Sequence, residues 1–371
     1  MENAIVTRSA SRKSAASEGP SPDASQKRKL DPAESPDQSS KRVKSASQAF
    51  ARHSRFWALD GNVILQFGSV AFKVHRSRLA TQSVWFEKLF ERRAGREEPL
   101  EEDEENIKDV GAEEVEGCDV FQLEALGNMS DFEALLTAME DSIQFYYDPP
   151  RFLTAAAIFR AATTFKFLNY LEFTRQYLLD LFSEDLEDLT TTVFANPTDA
   201  IVLGRTWNLP GILKRAFYEL LRAQPAAPSD ADADEGAVPK DVVHRLRGLD
   251  LDDLIRLSDT QKFLTAAWLS VLSPAAEKDK CPAKTPCGAT RLTGGWSAIV
   301  GKDMLLQKFQ YDPICGLNFL IEVQWATKHS FCDHCAAARK IALMKKRKEI
   351  WMDLDEWLDI PVDEEEEDKS D

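Results

Sequence analysis

The sequence predicts an α+β domain, a three-stranded sheet flanked by helices, followed by a mostly α-helical C-terminal domain and preceded by a disordered N-terminal tail. Three observations carry this reading. Two apolar strand-like runs, Val63 to Phe67 and Val70 to Val74, meet at a Gly68-Ser69 turn. Apolar residues then recur at helical spacing through most of the remaining chain. Residues 1 to 50, in contrast, are rich in Ser, Ala, Lys and Asp and nearly free of aromatics, so they cannot bury enough surface to offset the entropy of ordering.

The elements follow in order. After the hairpin, His75 opens a helix that carries Leu79, Ser83, Phe86, Leu89 and Phe90. Cys118 to Leu123 alternates as a third strand, and Phe132, Leu135, Leu136 and Met139 repeat with the period of a helix. A short aromatic segment, Ile143 to Tyr147, is ended by Asp148-Pro149-Pro150. Two further amphipathic helices hold Ile158, Ala161, Ala162, Phe165 and Leu168, then Phe173, Tyr177, Leu178, Leu181 and Phe182. These elements place a first domain at residues 51–185. Phe86, Phe90, Phe165 and Phe182 fall on the buried period and read as core. Residues 186–360 then form the helical C-terminal domain. Thr198 to Ala223 reads as a helical hairpin broken at Asn208-Leu209-Pro210, Pro225 to Gly236 as a loop, and Leu251 to Leu272 as a helical pair around Ser258-Asp259.

Asp60 before the hairpin, Phe72 with His75 at the strand end, Leu79, Ser83, and Trp85 with Phe86 stand in the order that marks the first half of a BTB/POZ domain, and the chain resembles that family. Its second half is similar to the BTB proteins abundant in mushroom-forming fungi, in a helix with Ala200, Ile201 and Leu203 and, past a proline, a helix with Ala216, Phe217, Tyr218, Glu219 and Leu220. The resemblance implies a protein-association fold and not an enzyme, with homodimerisation or partner docking as its work. It assigns interaction roles to Asp60 and His75 and to Phe56 and Trp57, ahead of the first strand, for which capping of the domain's own core is the open alternative. Two fates are open: a regulator of transcription or chromatin, or a substrate adaptor of a cullin-type ubiquitin ligase.

Charge is segregated along the chain. Lys27, Arg28 and Lys29 are separated by eleven residues from Lys41, Arg42 and Lys44, close to the spacing of a bipartite nuclear import signal, which favours a nuclear regulator. Two acidic runs oppose this tail. One lies in an insert at 93–117 and is expected to be a solvated loop; the other is an acidic tail at 361–371. The net charge of -16 disfavours direct contact with nucleic acid, and no apolar run approaches the roughly 20 residues that span a bilayer, so a soluble, intracellular protein is expected.

Six cysteines are unevenly spaced, and four of them make two close pairs. Cys281 and Cys287 lie in CPAKTPC, and Cys332 and Cys335 form Cys-x-x-Cys at the start of a helix from Ala336 to Trp351. Pairs from two segments, each at a turn or helix start, can converge their thiolates on one tetrahedral structural zinc, with His329 and His334 as substitute ligands. Cys118 and Cys315 read as small core residues. Beside this pair, Lys340, Lys345, Lys346, Arg347 and Lys348 give the less favoured reading of a zinc-dependent nucleic-acid binder. The five histidines lie apart, with His53 in the tail region, and the chain has no Gly-rich phosphate loop or G-x-S-x-G turn, so no catalytic residues are assigned.

Overall fold

The computed structural model describes residues 50–96, 106–107, 110–115, 117–223, 246–272, 281, 287, 301 and 304–361. The import clusters at Lys27 to Lys44 and residues 362–371 of the acidic tail lie outside the described residues.

Secondary structure is α+β. A mixed five-stranded sheet holds β1 (Ala51–Trp57), β2 (Val63–Phe67), β3 (Val70–Val74), β4 (Ala112–Val115) and β5 (Cys118–Gln122) in the order β1-β3-β2-β5-β4. The hairpin β2-β3 is antiparallel with Leu65 opposite Phe72, and its turn is set by Gly68 at φ +57°, a conformation that costs glycine little. β2 runs parallel to β5, and β1 runs parallel to β3.

The sheet therefore has five strands, where the sequence reading gave three. β1 was missed because its run ARHSRFW buries only Phe56 fully, so no apolar alternation announces it. β4 lies inside the acidic insert, expected to be a solvated loop; its Glu113 and Glu114 are exposed on an edge strand that pairs with β5. The same insert places Ile107 in the core at 1% exposure, and Asn106 Oδ1 accepts a 2.8 Å hydrogen bond from Trp85 Nε1. His53, read as a tail residue, sits in β1 with its ring stacked on Phe72 at 4.5 Å.

Helices α1 (Arg76–Gln82), α2 (Val84–Arg93), α3 (Met129–Glu140), α4 (Ser142–Tyr147), α5 (Phe152–Thr164) and α6 (Leu168–Leu181) follow or separate the strands. Ser83 joins α1 to α2: its Oγ accepts from Phe86 N–H at 3.0 Å as the α2 N-cap and donates to the Phe165 carbonyl at 2.5 Å. Beneath the sheet the rings of Phe72, Phe86, Phe132 and Phe165 meet, with centroids 5.4 Å apart for Phe132 and Phe165 and 5.5 Å for Phe86 and Phe165. Helix α5 is buried on two faces. Ile158, Ala161 and Ala162 join this aromatic core, while Phe152, Ala155, Ala156 and Phe159 join a second core made with the helices beyond residue 185.

That second core unites α7 (Pro197–Thr206), α8 (Leu213–Arg222), α9 (Leu251–Leu272), α10 (Leu305–Lys308), α11 (Pro313–Glu322), α12 (Trp325–His329) and α13 (Asp333–Trp357). A Cβ on Gly204 would stand 2.5 Å from Leu213 Cδ2, so glycine is what lets α7 approach α8. Helix α9 is one 22-residue helix and not a pair broken at Ser258-Asp259. Asp253, Leu257, Thr260, Leu264, Trp268 and Leu272 form an unbroken buried stripe with helical spacing, and Ser258 points to solvent, where it does not interrupt the stripe.

All ten residues of α8 are buried, including four charged ones. Glu219 accepts from Arg215 Nε at 2.8 Å, from Arg222 Nε at 2.8 Å and Nη2 at 2.6 Å, and from the Phe194 N–H at 3.0 Å. Arg222 also reaches the Thr190 and Thr192 carbonyls and, at 3.2 Å, Asp312 at the start of α11. Tyr218 donates to Asp312 Oδ1 at 2.7 Å. Burial works against the charge of Arg222, but Glu219 and Asp312 outweigh it and hold the guanidinium above the ordinary arginine range.

Candidate metal centre and docking cleft

The four cysteines that spacing singled out come together. The Sγ atoms of Cys281, Cys287, Cys332 and Cys335 all lie within 4.8 Å of one another, with Cys281 3.5 Å from Cys287 and 3.8 Å from Cys332. None of the six cysteines is in a disulfide, and 3.5 Å is far beyond a bond of about 2.05 Å. Four thiolates about 2.3 Å from one zinc stand about 3.8 Å apart along the edges of a tetrahedron, so the cluster has the size such an ion needs.

Local structure explains the convergence. Ser330 takes a left-handed conformation (φ 58°) at the end of α12 and turns the chain toward Cys332, the N-cap of α13. Cys335 then falls in the first turn of α13, one turn from Cys332 and on the same side of the helix start. Between Ser330 and Cys332, Phe331 is buried in the helical core, its ring 5.3 Å from Trp325, so the cysteine-bearing turn is anchored from below. Arg339, one turn further on, lies over Trp325 at 4.8 Å. Cys287 is 6% exposed and the other three thiols are half-buried. Burial, followed by hydrogen bonds among the four thiols, pushes Cys335 well above the usual thiol range. The substitutes do not join this group: His329 packs against Trp325 at 5.7 Å, and His334 is exposed on α13. Cys118 and Cys315 are buried elsewhere. Burial and then Asp312 push the Cys315 thiol up to about 12.

The residues assigned to interaction gather around a second feature, a cleft of about 180 Å³ bounded by Arg55, Phe56, Trp57, Lys73, His75 and Arg78 among others. Phe56 requires a correction. It lies inside β1, not ahead of the first strand, and at 4% exposure its ring belongs to the aromatic core, so it cannot anchor an interface. Trp57 is half-buried, beside Phe50 and under the Arg52 guanidinium at 4.8 Å. His75 Nε2 lies 3.0 Å from Asp60 Oδ1 on the surface, and this hydrogen bond, first among several causes, holds the Asp60 carboxyl below its usual range. Arg55 and Arg78 were missed by sequence reading. Arg55 bonds Asp141 at 2.7 Å and Arg78 donates to the Met139 carbonyl at 2.7 Å; the signal for Arg55 was its place next to Phe56 in a strand that charge concealed.

The basic run on α13 is largely spoken for. Arg347 bonds Asn318 at 2.6 Å and pairs with Glu187, while Lys345 and Lys346 share Glu349. Among the described residues no helix is long and apolar enough to cross a membrane. Comparison of the chain with protein families, curated proteins and solved structures finds no match.

Proposed function

We propose that this chain works by associating with other protein chains, as a BTB/POZ-type homodimer in a nuclear regulatory assembly, with its C-terminal helices braced by one structural zinc. The observation that supports association most directly is the position of β1. This strand forms one edge of the sheet, and a sheet edge is where a second chain can add a strand. The cleft with Trp57, Arg55 and Arg78 opens beside it. Zinc is supported by an all-thiol donor set of the right size at the start of a helix. There it would tie Cys281 and Cys287 to α13.

Both parts are tested on the full chain. Light scattering at concentrations well above micromolar should give a dimer, and Trp57→Asp should shift it toward monomer while the melt stays cooperative. A wild-type chain that stays monomeric removes dimerisation. The purified chain should carry about one equivalent of zinc and lose stability when a chelator is added. A chain that purifies without metal, melts identically with chelator and tolerates Cys335→Ser removes the zinc.

A further inference from the structure

A larger cavity, sharing no lining residue with the cleft, lies where α1, α3, α4, α5 and α6 meet. Its volume is about 510 Å³, inside the range of about 300–1,000 Å³ typical of small-molecule sites. Ala138 and Ile158, both buried, line its deep side, and Phe145, Tyr170 and Phe173 supply three aromatic rings. Thr81, Gln82, Ser142 and Asn169 supply neutral polar side chains, and among the described residues no Asp, Glu, Lys, Arg or His lines it.

We propose that this cavity binds an uncharged, ring-bearing small molecule that is largely apolar and carries one or two neutral polar groups. The uncharged wall selects against ions, because a charged ligand entering it would lose its hydration with no charged side chain in the lining to replace it, the field of Arg78 reaching Tyr170 only from outside the wall. Three aromatic rings offer faces and edges to a ligand ring, and the hydroxyl and amide side chains match neutral donors and acceptors. The Tyr170 phenol is neutral at neutral pH, and burial raises it further from ionisation. The mouth is held in shape before any ligand arrives. Phe173, 48% exposed, stacks on Tyr177 at 6.3 Å, and Tyr177 donates to the Pro150 carbonyl at 2.7 Å. That arrangement keeps a large apolar ring at the surface, which packing inside this chain does not require. The charge-dense parts of this chain, such as the acidic run 97–116, are poor occupants for the same electrostatic reason that excludes ionic ligands.

The test uses the full chain and N-phenyl-1-naphthylamine, an uncharged diarylamine whose emission rises in apolar surroundings. Emission should saturate at about one probe per chain, the count expected of a single site. The sulfonated analogue, 8-anilinonaphthalene-1-sulfonate, should bind at least about tenfold more weakly, the penalty of carrying its charge into this wall. Asn169 is exposed on α6, so Asn169→Trp should block the mouth and weaken the neutral probe at least about tenfold with an unchanged melt. Phe173→Ala provides a second readout at another exposed position and should weaken the probe about threefold to tenfold. Emission that rises without saturating, a sulfonated probe that binds as tightly, or affinity unchanged in both variants would overturn the proposal.

Discussion

Under the sheet, Phe72, Phe86, Phe132 and Phe165 fill the interior ring against ring, each at 1% exposure or less. In the helical half an equally deep position is filled by ions: the side chains of Arg215, Glu219 and Arg222 are at 1%, 0% and 0% exposure. The two interiors solve the packing problem in opposite ways. Rings gain from burial itself and adjust to one another by small tilts. Buried ions gain only while every partner is present, because each charge has lost its water and depends on the others. Arg222 is a clamp as well, holding the Thr190 and Thr192 carbonyls of the connection before α7 to α8 and to Asp312 of α11. The ionic core thus fixes which segments meet, and the aromatic core mainly fixes how much surface is hidden.

The largest expected effect tests the ionic side of this contrast. Glu219→Ala leaves two buried guanidiniums without their shared carboxylate and should cost about 3–5 kcal/mol, read as the midpoint of thermal or urea unfolding. A loss under about 1 kcal/mol would show that water reaches the site and that the two cores are alike. A smaller effect is expected where the aromatic half relies on one polar group. Ser83→Ala removes the α2 cap and the donor to the Phe165 carbonyl, and should cost about 2 kcal/mol by the same measurement.

The smallest effect separates surface ions from buried ones. Asp119 pairs with Arg93 at 3.0 Å and with Arg76 at the edge of the sheet half. Burial opposes its charge, but the two arginines outweigh that and lower its carboxyl below the usual range. A lowered folded value means the unfolded chain takes up the proton first as pH falls. The contribution is therefore complete above the unfolded carboxylate range of about 3.9 and disappears as pH drops through the lower folded value. Asp119→Asn should cost under about 1 kcal/mol at neutral pH, and its urea midpoint should converge on the wild-type value in acid. A gap that persists even in acid below the lowered folded value would mean that Asp119 contributes through shape instead of charge.

The same contrast explains what the sequence disclosed. The hairpin β2-β3, β5 and helices α2, α3, α5 and α6 were legible because apolar side chains sit at strand or helix period, and the period is visible without knowing the partners. The four cysteines were legible too, since sulfur donors in two close pairs have few other uses. Residues 51–57 concealed a strand because Arg52, His53 and Arg55 interrupt its pattern, and His53 turned out to stack on a core ring. Arg215, Glu219 and Arg222 concealed the ionic core. Charges three and four residues apart on a helix normally mark its solvent face, and only the segments that close over α8 reverse that reading. Those segments are distant in the chain: Thr190 and Thr192 lie on one side of α8, and Asp312 lies some ninety residues beyond it.

Helix α5 contributes to both interiors, and the second of them is completed by Ile350, Leu354 and Leu358, each at 0% exposure. During synthesis, which proceeds from the N-terminus, the face of α5 with Phe152, Ala155, Ala156 and Phe159 emerges about two hundred residues before the last of its core partners. Phe182 and Trp207, which pack against Phe152 and Phe159, cover that face some fifty residues on, but the core it belongs to stays unfinished while the rest of the chain is made, at about 5–20 residues per second. A nascent chain of this protein therefore carries a partly assembled helical core for on the order of ten seconds or more, which is the interval in which a ribosome-bound chaperone has something to hold.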